Sequence, residues 1–332
     1  MSKKRSKKTR KKSRIKPVSA SVSAVSLLKA AVEHHQSGRL DLAWDMYQQV
    51  LEKDPVQQDA LHLAGLIARS KGDLSLARNM ICSAIDSSPE TILFYKSLSS
   101  VLLQLGQYVE AEEALNKVIL ADPGDISVER DLCMLLVHTD RLDEAESCYG
   151  KIIREFPDDF DANNNLGVIS MRKGRVKQAI EYFREAQKQK PEFAEVNNNL
   201  GSCYAEEGNI EEAIIFFEMA IKQKPDFAEA FNNLGVACRE SGDKEKALSL
   251  FRKAVELRPD YYEAYNNLGA VLTGLDSVHE GLEYIEKALE INPACIDAQC
   301  NRDIALMQLE NLEEAESDAL KVLNTESGEK RH

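Results

Sequence analysis

The spacing of proline is the feature of this sequence that most restricts its fold. The chain has nine prolines, and eight of them follow one another at intervals of 34 residues. The odds that seven prolines share the phase of the first by chance are on the order of 10⁻¹¹. The sequence is therefore a tandem array of one short supersecondary unit. The eight residues are Pro55, Pro89, Pro123, Pro157, Pro191, Pro225, Pro259 and Pro293.

Each repeat has the pattern of two helices, which we call helix A and helix B. If proline is counted as position 32, the repeats begin at residues 24, 58, 92, 126, 160, 194, 228, 262 and 296. Small residues at positions 8 and 20 allow the two helices to pack closely. Glycine at position 15 is expected to end helix A, and proline at position 32 cannot continue helix B. No segment shows a sustained alternation of apolar and polar residues, so no sheet is expected.

This pattern resembles the tetratricopeptide repeat, a helix–turn–helix unit of 34 residues. The resemblance covers residues 24–329 and implies an all-α fold, a right-handed α-solenoid of about nine repeats. Residues 1–23 are predicted to be a basic, disordered tail, and residues 330–332 form a short C-terminal end. The repeat at 126–159 departs from the motif, with Asp140 at the glycine position, and this predicts either a local irregularity or a hinge.

Asparagines recur at positions 5 and 6 of helix A, which the resemblance places on the concave face. Asparagine is only a moderate helix former, so a helix does not need it in these places. An amide has one acceptor and one donor group, and an extended peptide presents both kinds of group regularly. A row of amides could therefore hold a peptide main chain with little regard to its sequence. The candidate groove residues are Asn164, Asn165, Asn198, Asn199, Asn232, Asn233, Asn266, Asn267 and Asn301.

The segment Glu-Ala-Phe-Asn-Asn-Leu-Gly at 229–235 resembles the repeats of O-linked N-acetylglucosamine transferases. That resemblance implies that asparagine at position 6 holds the main chain of a bound substrate. The same amides could instead bridge neighbouring helices without any ligand, and both interpretations stay open. The acidic residues at position 2, such as Glu229, also have two possible roles. They could complement helix dipoles or favour basic and polar peptides.

Charge is divided unevenly along the chain. The formal net charge is −13, although residues 1–16 contain ten basic residues and no acidic residue. The rest of the chain is therefore strongly acidic, which makes it a poor ligand for nucleic acid. Three roles for the basic tail stay open: increased solubility, contact with an anionic surface, or a nuclear address in a eukaryote. The anionic surface could be a membrane, a nucleic acid or the protein's own acidic face.

No catalytic motif accompanies the repeats. The sequence lacks a phosphate-binding loop, an H-E-x-x-H zinc motif and any C-x-x-C pair. The repeats leave no segment for the sugar-transferring domain of the resembled enzymes. We therefore expect that the protein is not an enzyme and that it binds no cofactor, no metal and no small-molecule substrate. The chain has no apolar run long enough for a membrane span and no convincing secretion signal, so a cytoplasmic location is expected, or a nuclear one in a eukaryote.

The sequence thus predicts a non-catalytic scaffold for protein–protein interaction. Its partners would be proteins that present extended peptide segments to the concave groove. Two alternatives stay open. The chain could be an accessory or substrate-presenting subunit of a separate glycosyltransferase, or an adaptor that its basic tail tethers to a membrane or nucleic acid.

Overall fold

The computed structural model describes residues 23–310 of the 332-residue chain. All regular structure within that range is α-helical, so the prediction of an all-α fold is confirmed. The predicted basic tail, apart from Ser23, and the predicted segments 311–329 and 330–332 lie outside the described residues. The helices are α1 (Ala24–Gln36), α2 (Leu40–Lys53), α3 (Gln58–Ser70), α4 (Leu74–Ser87), α5 (Ile92–Gln104), α6 (Tyr108–Ala121), α7 (Ile126–His138), α8 (Leu142–Glu155), α9 (Phe160–Arg172), α10 (Val176–Gln189), α11 (Ala194–Glu206), α12 (Ile210–Gln223), α13 (Ala228–Glu240), α14 (Lys244–Leu257), α15 (Tyr262–Thr273), α16 (Val278–Ile291) and α17 (296–310).

The chain divides into two compact units, Met1–Thr139 and Asp140–His332. We call them the first unit and the second unit. The division falls between the two helices of the irregular repeat at 126–159. Within each unit a helix packs against the helices next to it in sequence. Helix A also contacts helix A of the next repeat, as in α9 with α11, α11 with α13 and α13 with α15. This neighbour-to-neighbour packing is that of a helical solenoid.

The turn between helix A and helix B has the conformation that the glycine pattern predicts. Gly208 follows α11 with a φ of +81°, in the left-handed region that residues with a Cβ atom avoid. The turn lets the N–H of Asn209 donate to the carbonyl of Tyr204 at 2.8 Å, which satisfies the end of the helix. Asp140 and Asp276 occupy the equivalent position with φ values of +58° and +63°.

Close packing of the two helices explains the small residue at position 8. A Cβ atom added to Gly201 would lie 2.6 Å from Cε1 of Phe217, the aromatic residue at position 24 of the same repeat. Phe217 is 2% exposed, and Ala213 at position 20 is fully buried beside it. The helices can approach this closely only because neither small residue fills the space between them. The interpretation of positions 8 and 20 is therefore confirmed for this repeat.

Candidate functional site

Asparagine side chains pair between neighbouring repeats on one face of the second unit. This helix-A face consists of the exposed sides of α9, α11, α13, α15 and α17. The amide nitrogen at position 6 of one repeat donates a hydrogen bond to the amide oxygen at position 5 of the preceding repeat. The pairs are Asn233 Nδ2 to Asn198 Oδ1 at 3.1 Å, Asn267 Nδ2 to Asn232 Oδ1 at 2.9 Å, and Asn301 Nδ2 to Asn266 Oδ1 at 2.9 Å.

Burial distinguishes the two positions of each pair. At position 5, Asn198, Asn232 and Asn266 are only 4%, 6% and 8% exposed. The partners at position 6 are only half-buried. The position-5 side chain is thus a buried brace, whereas the position-6 amide reaches the surface of the helix-A face.

The position-6 amides keep unused hydrogen-bonding capacity. Each amide nitrogen carries two hydrogens, and each oxygen has two lone pairs. The oxygen of Asn233 accepts only a long bond from Asn232 at 3.4 Å, and that of Asn267 a long bond from Arg239 at 3.5 Å. Since bonds of this length are weak, both oxygens can still accept a stronger donor.

The row of pairs does not extend to the first asparagines. Asn165 donates to the carbonyl of Asp161 in its own helix at 2.8 Å. The oxygen of Asn164 is buried and has no hydrogen-bond partner. Asn199 is half-buried and forms no bond to Asn164 within the described range. Of the nine candidate residues, the structure therefore joins six in pairs.

A position-5 to position-6 bond also occurs in the first unit, with different side chains. Nε2 of His62 and Oγ of Ser97 lie 2.8 Å apart, and the two residues hold positions 5 and 6 of successive repeats. His62 is 4% exposed, and burial lowers the pKa of its imidazole. The same kind of brace therefore joins some successive repeats in both units, which the 35-residue offset in the sequence could have indicated.

Position 4 carries two structural asparagines that are not among the nine candidate groove residues. Nδ2 of Asn163 donates to the carbonyls of Pro157 and Asp159 at 2.8 and 2.9 Å. Asn197 is fully buried; its oxygen accepts from Gln187 at 2.6 Å and its nitrogen donates to Gln223 at 2.7 Å. These residues fasten the turn that precedes helix A. The sequence does contain a sign of this role: in both repeats an Asn-Asn-Asn triplet extends the asparagines of positions 5 and 6 back to position 4.

A cavity of about 310 Å³ opens beside Asn233, between α11, α12 and α13. The buried ring of Phe217 contributes to its wall, and the carboxylates of Glu206 and Glu240 are exposed at the cavity. The position-6 amide of Asn233 therefore adjoins a space that a side chain can enter. The lining residues are Ser202, Ala205, Glu206, Phe217, Asn233, Val236, Ala237 and Glu240.

The acidic residues at position 2 lie in the first turns of their helices. Glu195, Glu229 and Glu263 are all placed there, where the helix dipole favours a negative charge. Glu195 also forms an ion pair with Lys224 at 2.7 Å. The positions agree with the helix-dipole interpretation, and the preference for basic peptides stays a prediction for these residues.

Profiles of the tetratricopeptide repeat match most of the chain. One profile covers residues 28–91, 134–192 and 234–295, which together exceed half of the sequence. Two others cover residues 192–260 and 95–125. The chain belongs to the tetratricopeptide repeat family. Its fold is that of a scaffold for protein–protein interaction, because stacked repeats present extended binding surfaces.

Solved tetratricopeptide repeat structures share the fold at low sequence identity. A repeat protein from Parabacteroides merdae is 17% identical with a TM-score of 0.59, over 75% of this chain and 98% of that one. A chain in the crystal structure of the APC/C hetero-tetramer Cut9–Hcn1 is 20% identical with a TM-score of 0.62. That match covers 85% of this chain but only 55% of the other. These likenesses show the fold alone. Among curated proteins no match was found.

In the part of the chain that the structure describes, no helix has both the length and the apolar character needed to cross a membrane. The resemblance to O-linked N-acetylglucosamine transferases stays a prediction.

Proposed function

We propose that this protein is a non-catalytic scaffold that binds extended peptide segments of partner proteins on the helix-A face of the second unit. The observation that carries the proposal is the row of half-buried position-6 amides, each held by a buried position-5 oxygen. Three consecutive pairs place Asn233, Asn267 and Asn301 at equivalent points of successive repeats. A main chain that runs along the face would meet one amide in each repeat.

The hydrogen bond to position 5 makes these amides better peptide-binding groups than unrestrained asparagine side chains. The bond to position 5 fixes the orientation of the amide before a peptide arrives, so less side-chain entropy is lost on binding. The second hydrogen on nitrogen and the lone pairs on oxygen are then left for a peptide carbonyl and a peptide N–H. One side chain can therefore brace the repeats and bind a ligand, and the two interpretations of the row do not exclude each other.

The experiment compares two triple variants that delete the same three hydrogen bonds from opposite sides. The probe is a fluorescent peptide selected by phage display on the full chain. Asn233→Ala/Asn267→Ala/Asn301→Ala removes the surface amides, and Asn198→Ala/Asn232→Ala/Asn266→Ala removes only their buried partners. Melting temperature and peptide affinity are measured on the same samples, at a temperature where both variants are folded.

Both variants are expected to melt at a lower temperature, because each loses three bonds between repeats. Only the position-6 variant should also lose the contacts to the peptide, which contribute about 0.5–1.5 kcal/mol each. Its affinity should fall by roughly ten- to a thousandfold more than that of the position-5 variant. Equal affinities for the two variants, or failure of the display to select any peptide, would overturn the proposal.

A further inference from the structure

The cavity beside Asn233 has an apolar wall that suits a hydrocarbon chain. Ala205, Val236, Ala237 and the ring of Phe217 contribute to its lining. Its volume of about 310 Å³ can hold one large side chain. The hydroxyl of Ser202, also in the lining, donates to the carbonyl of Asn198 at 3.1 Å, so its oxygen can still accept a hydrogen bond.

The charged groups of this cavity are all negative. Glu206 and Glu240 are the only ionisable residues in its lining, and both are exposed. In the described range neither carboxylate forms an ion pair or accepts a hydrogen bond, unlike the nearby Glu195 with Lys224 and Glu218 with Lys246. Two unneutralised carboxylates favour a cationic occupant and oppose an anionic one.

The arrangement occurs once along the repeats. Glu206 and Glu240 both hold position 13, the last residue of helix A, in the repeats that begin at 194 and 228. Position 13 of the preceding repeat is Arg172, and that of the following repeat is Gly274. No other pair of successive repeats has an acidic residue at this position in both. The cavity is therefore a local feature that can select one side chain of a bound segment.

We infer that this cavity binds a lysine or arginine side chain of the peptide whose main chain Asn233 holds. The inference rests on the proposed function. The methylene chain of the basic residue packs against Val236, Ala237 and Phe217, and its cationic end lies between Glu206 and Glu240. Long basic side chains commonly divide in this way between an apolar surface and a charged rim.

The test uses the peptide selected on the wild-type chain, synthesised with lysine, arginine, glutamine or glutamate at each position in turn. Binding is measured by fluorescence polarisation at low salt. Glu206→Gln/Glu240→Gln removes both charges with little change of shape. The control, Glu211→Gln/Glu245→Gln, makes the same charge change at two exposed, equivalent positions of helix B in the same two repeats.

At one peptide position, lysine or arginine should bind the wild-type chain about tenfold more tightly than glutamine, and glutamate should bind least. Glu206→Gln/Glu240→Gln should abolish this preference, and the control should keep it. A preference that survives in Glu206→Gln/Glu240→Gln, or no position at which a basic residue is preferred, would overturn the inference. If the asparagine variants still weaken binding in that case, the proposed function stands. If the asparagine variants bind the peptide as the wild-type chain does, both the proposed function and this inference fail.

Discussion

Gly201 has no space for a side chain, and this predicts the cost of adding one. Alanine at this position would force its Cβ atom against the ring of Phe217, as the 2.6 Å separation shows. Overpacking of a close-packed core costs about 1–3 kcal/mol. Gly150, in α8, is the matched control, because a Cβ atom there would meet nothing within 4 Å.

Gly150→Ala should increase the free energy of unfolding by about 0.5–1 kcal/mol, since alanine is the better helix former. Gly201→Ala should be less stable than Gly150→Ala by about 1–3 kcal/mol in urea denaturation. Equal stability of the two variants would show that the helices do not need glycine for their close approach.

His62 predicts a dependence of stability on pH. Burial holds the pKa of its imidazole below the ordinary value of about 6.5. The unfolded chain therefore takes up a proton before the folded chain does, as pH falls. The contribution of this group to stability is complete above about pH 6.5 and is lost as the pH falls towards the lower folded pKa.

His62→Asn should reduce the loss of stability between about pH 6.5 and 5, because asparagine does not titrate. Asparagine is also the residue that four later repeats have at the same position. Thermal melting of both proteins across this pH range measures the effect. If the two slopes were the same, His62 would not be the group that titrates.

The sequence identified the asparagines but could not assign their separate roles. Adjacent residues of a helix point about 100° apart, and the resemblance alone, which placed positions 5 and 6 on the same concave face, does not tell their roles apart. Only contact with the next repeat decides that Asn232 is buried and that Asn233 reaches the surface. The role of Asn197 could not be predicted either, because its partners Gln187 and Gln223 lie on other helices.

At the scale of a helix and its turn, the sequence was more informative. Glycine and proline determine the backbone conformation at their own positions. The helix ends can therefore be predicted from the sequence without knowing how the helices pack. Asp276 is an exception: it occupies the turn after α15 with a φ of +63°, where most repeats have glycine. A residue with a Cβ atom is strained in this conformation.

Asp276→Gly should therefore stabilise the protein by up to about 1 kcal/mol. The reverse comparison is Gly208→Ala, at the same position of another repeat, which should destabilise it by about 1 kcal/mol or more. Urea denaturation of the two variants provides the measurement. A loss of stability in Asp276→Gly would contradict a strained turn.

At the scale of the whole molecule, the irregular repeat coincides with the division of the chain. The departure of residues 126–159 from the motif was visible in the sequence, and the two compact units separate between Thr139 and Asp140. The existence of two units could not be predicted from the spacing, because the prolines keep their interval of 34 residues through this region.

The basic segment at residues 1–16 lies outside the described residues, and its predicted role depends on charge alone. Its ten basic residues should bind anionic liposomes or nucleic acid at low salt, and release them as salt increases. Replacing all ten basic residues with glutamine keeps the length of the segment and should abolish retention of the protein on anionic liposomes and nucleic acid. Retention by this variant would assign the binding to another part of the chain.

The most direct test of the account is NMR observation of the asparagine side chains as the selected peptide is added. The side-chain NH₂ signals of Asn233, Asn267 and Asn301 should shift in proportion to the bound fraction, because peptide groups bond to these amides. The signals of Asn163 and Asn197, which fasten turns, should stay in place and provide the internal control. Shifts confined to Asn163 and Asn197, or no shift in the position-6 signals at saturation, would contradict the account.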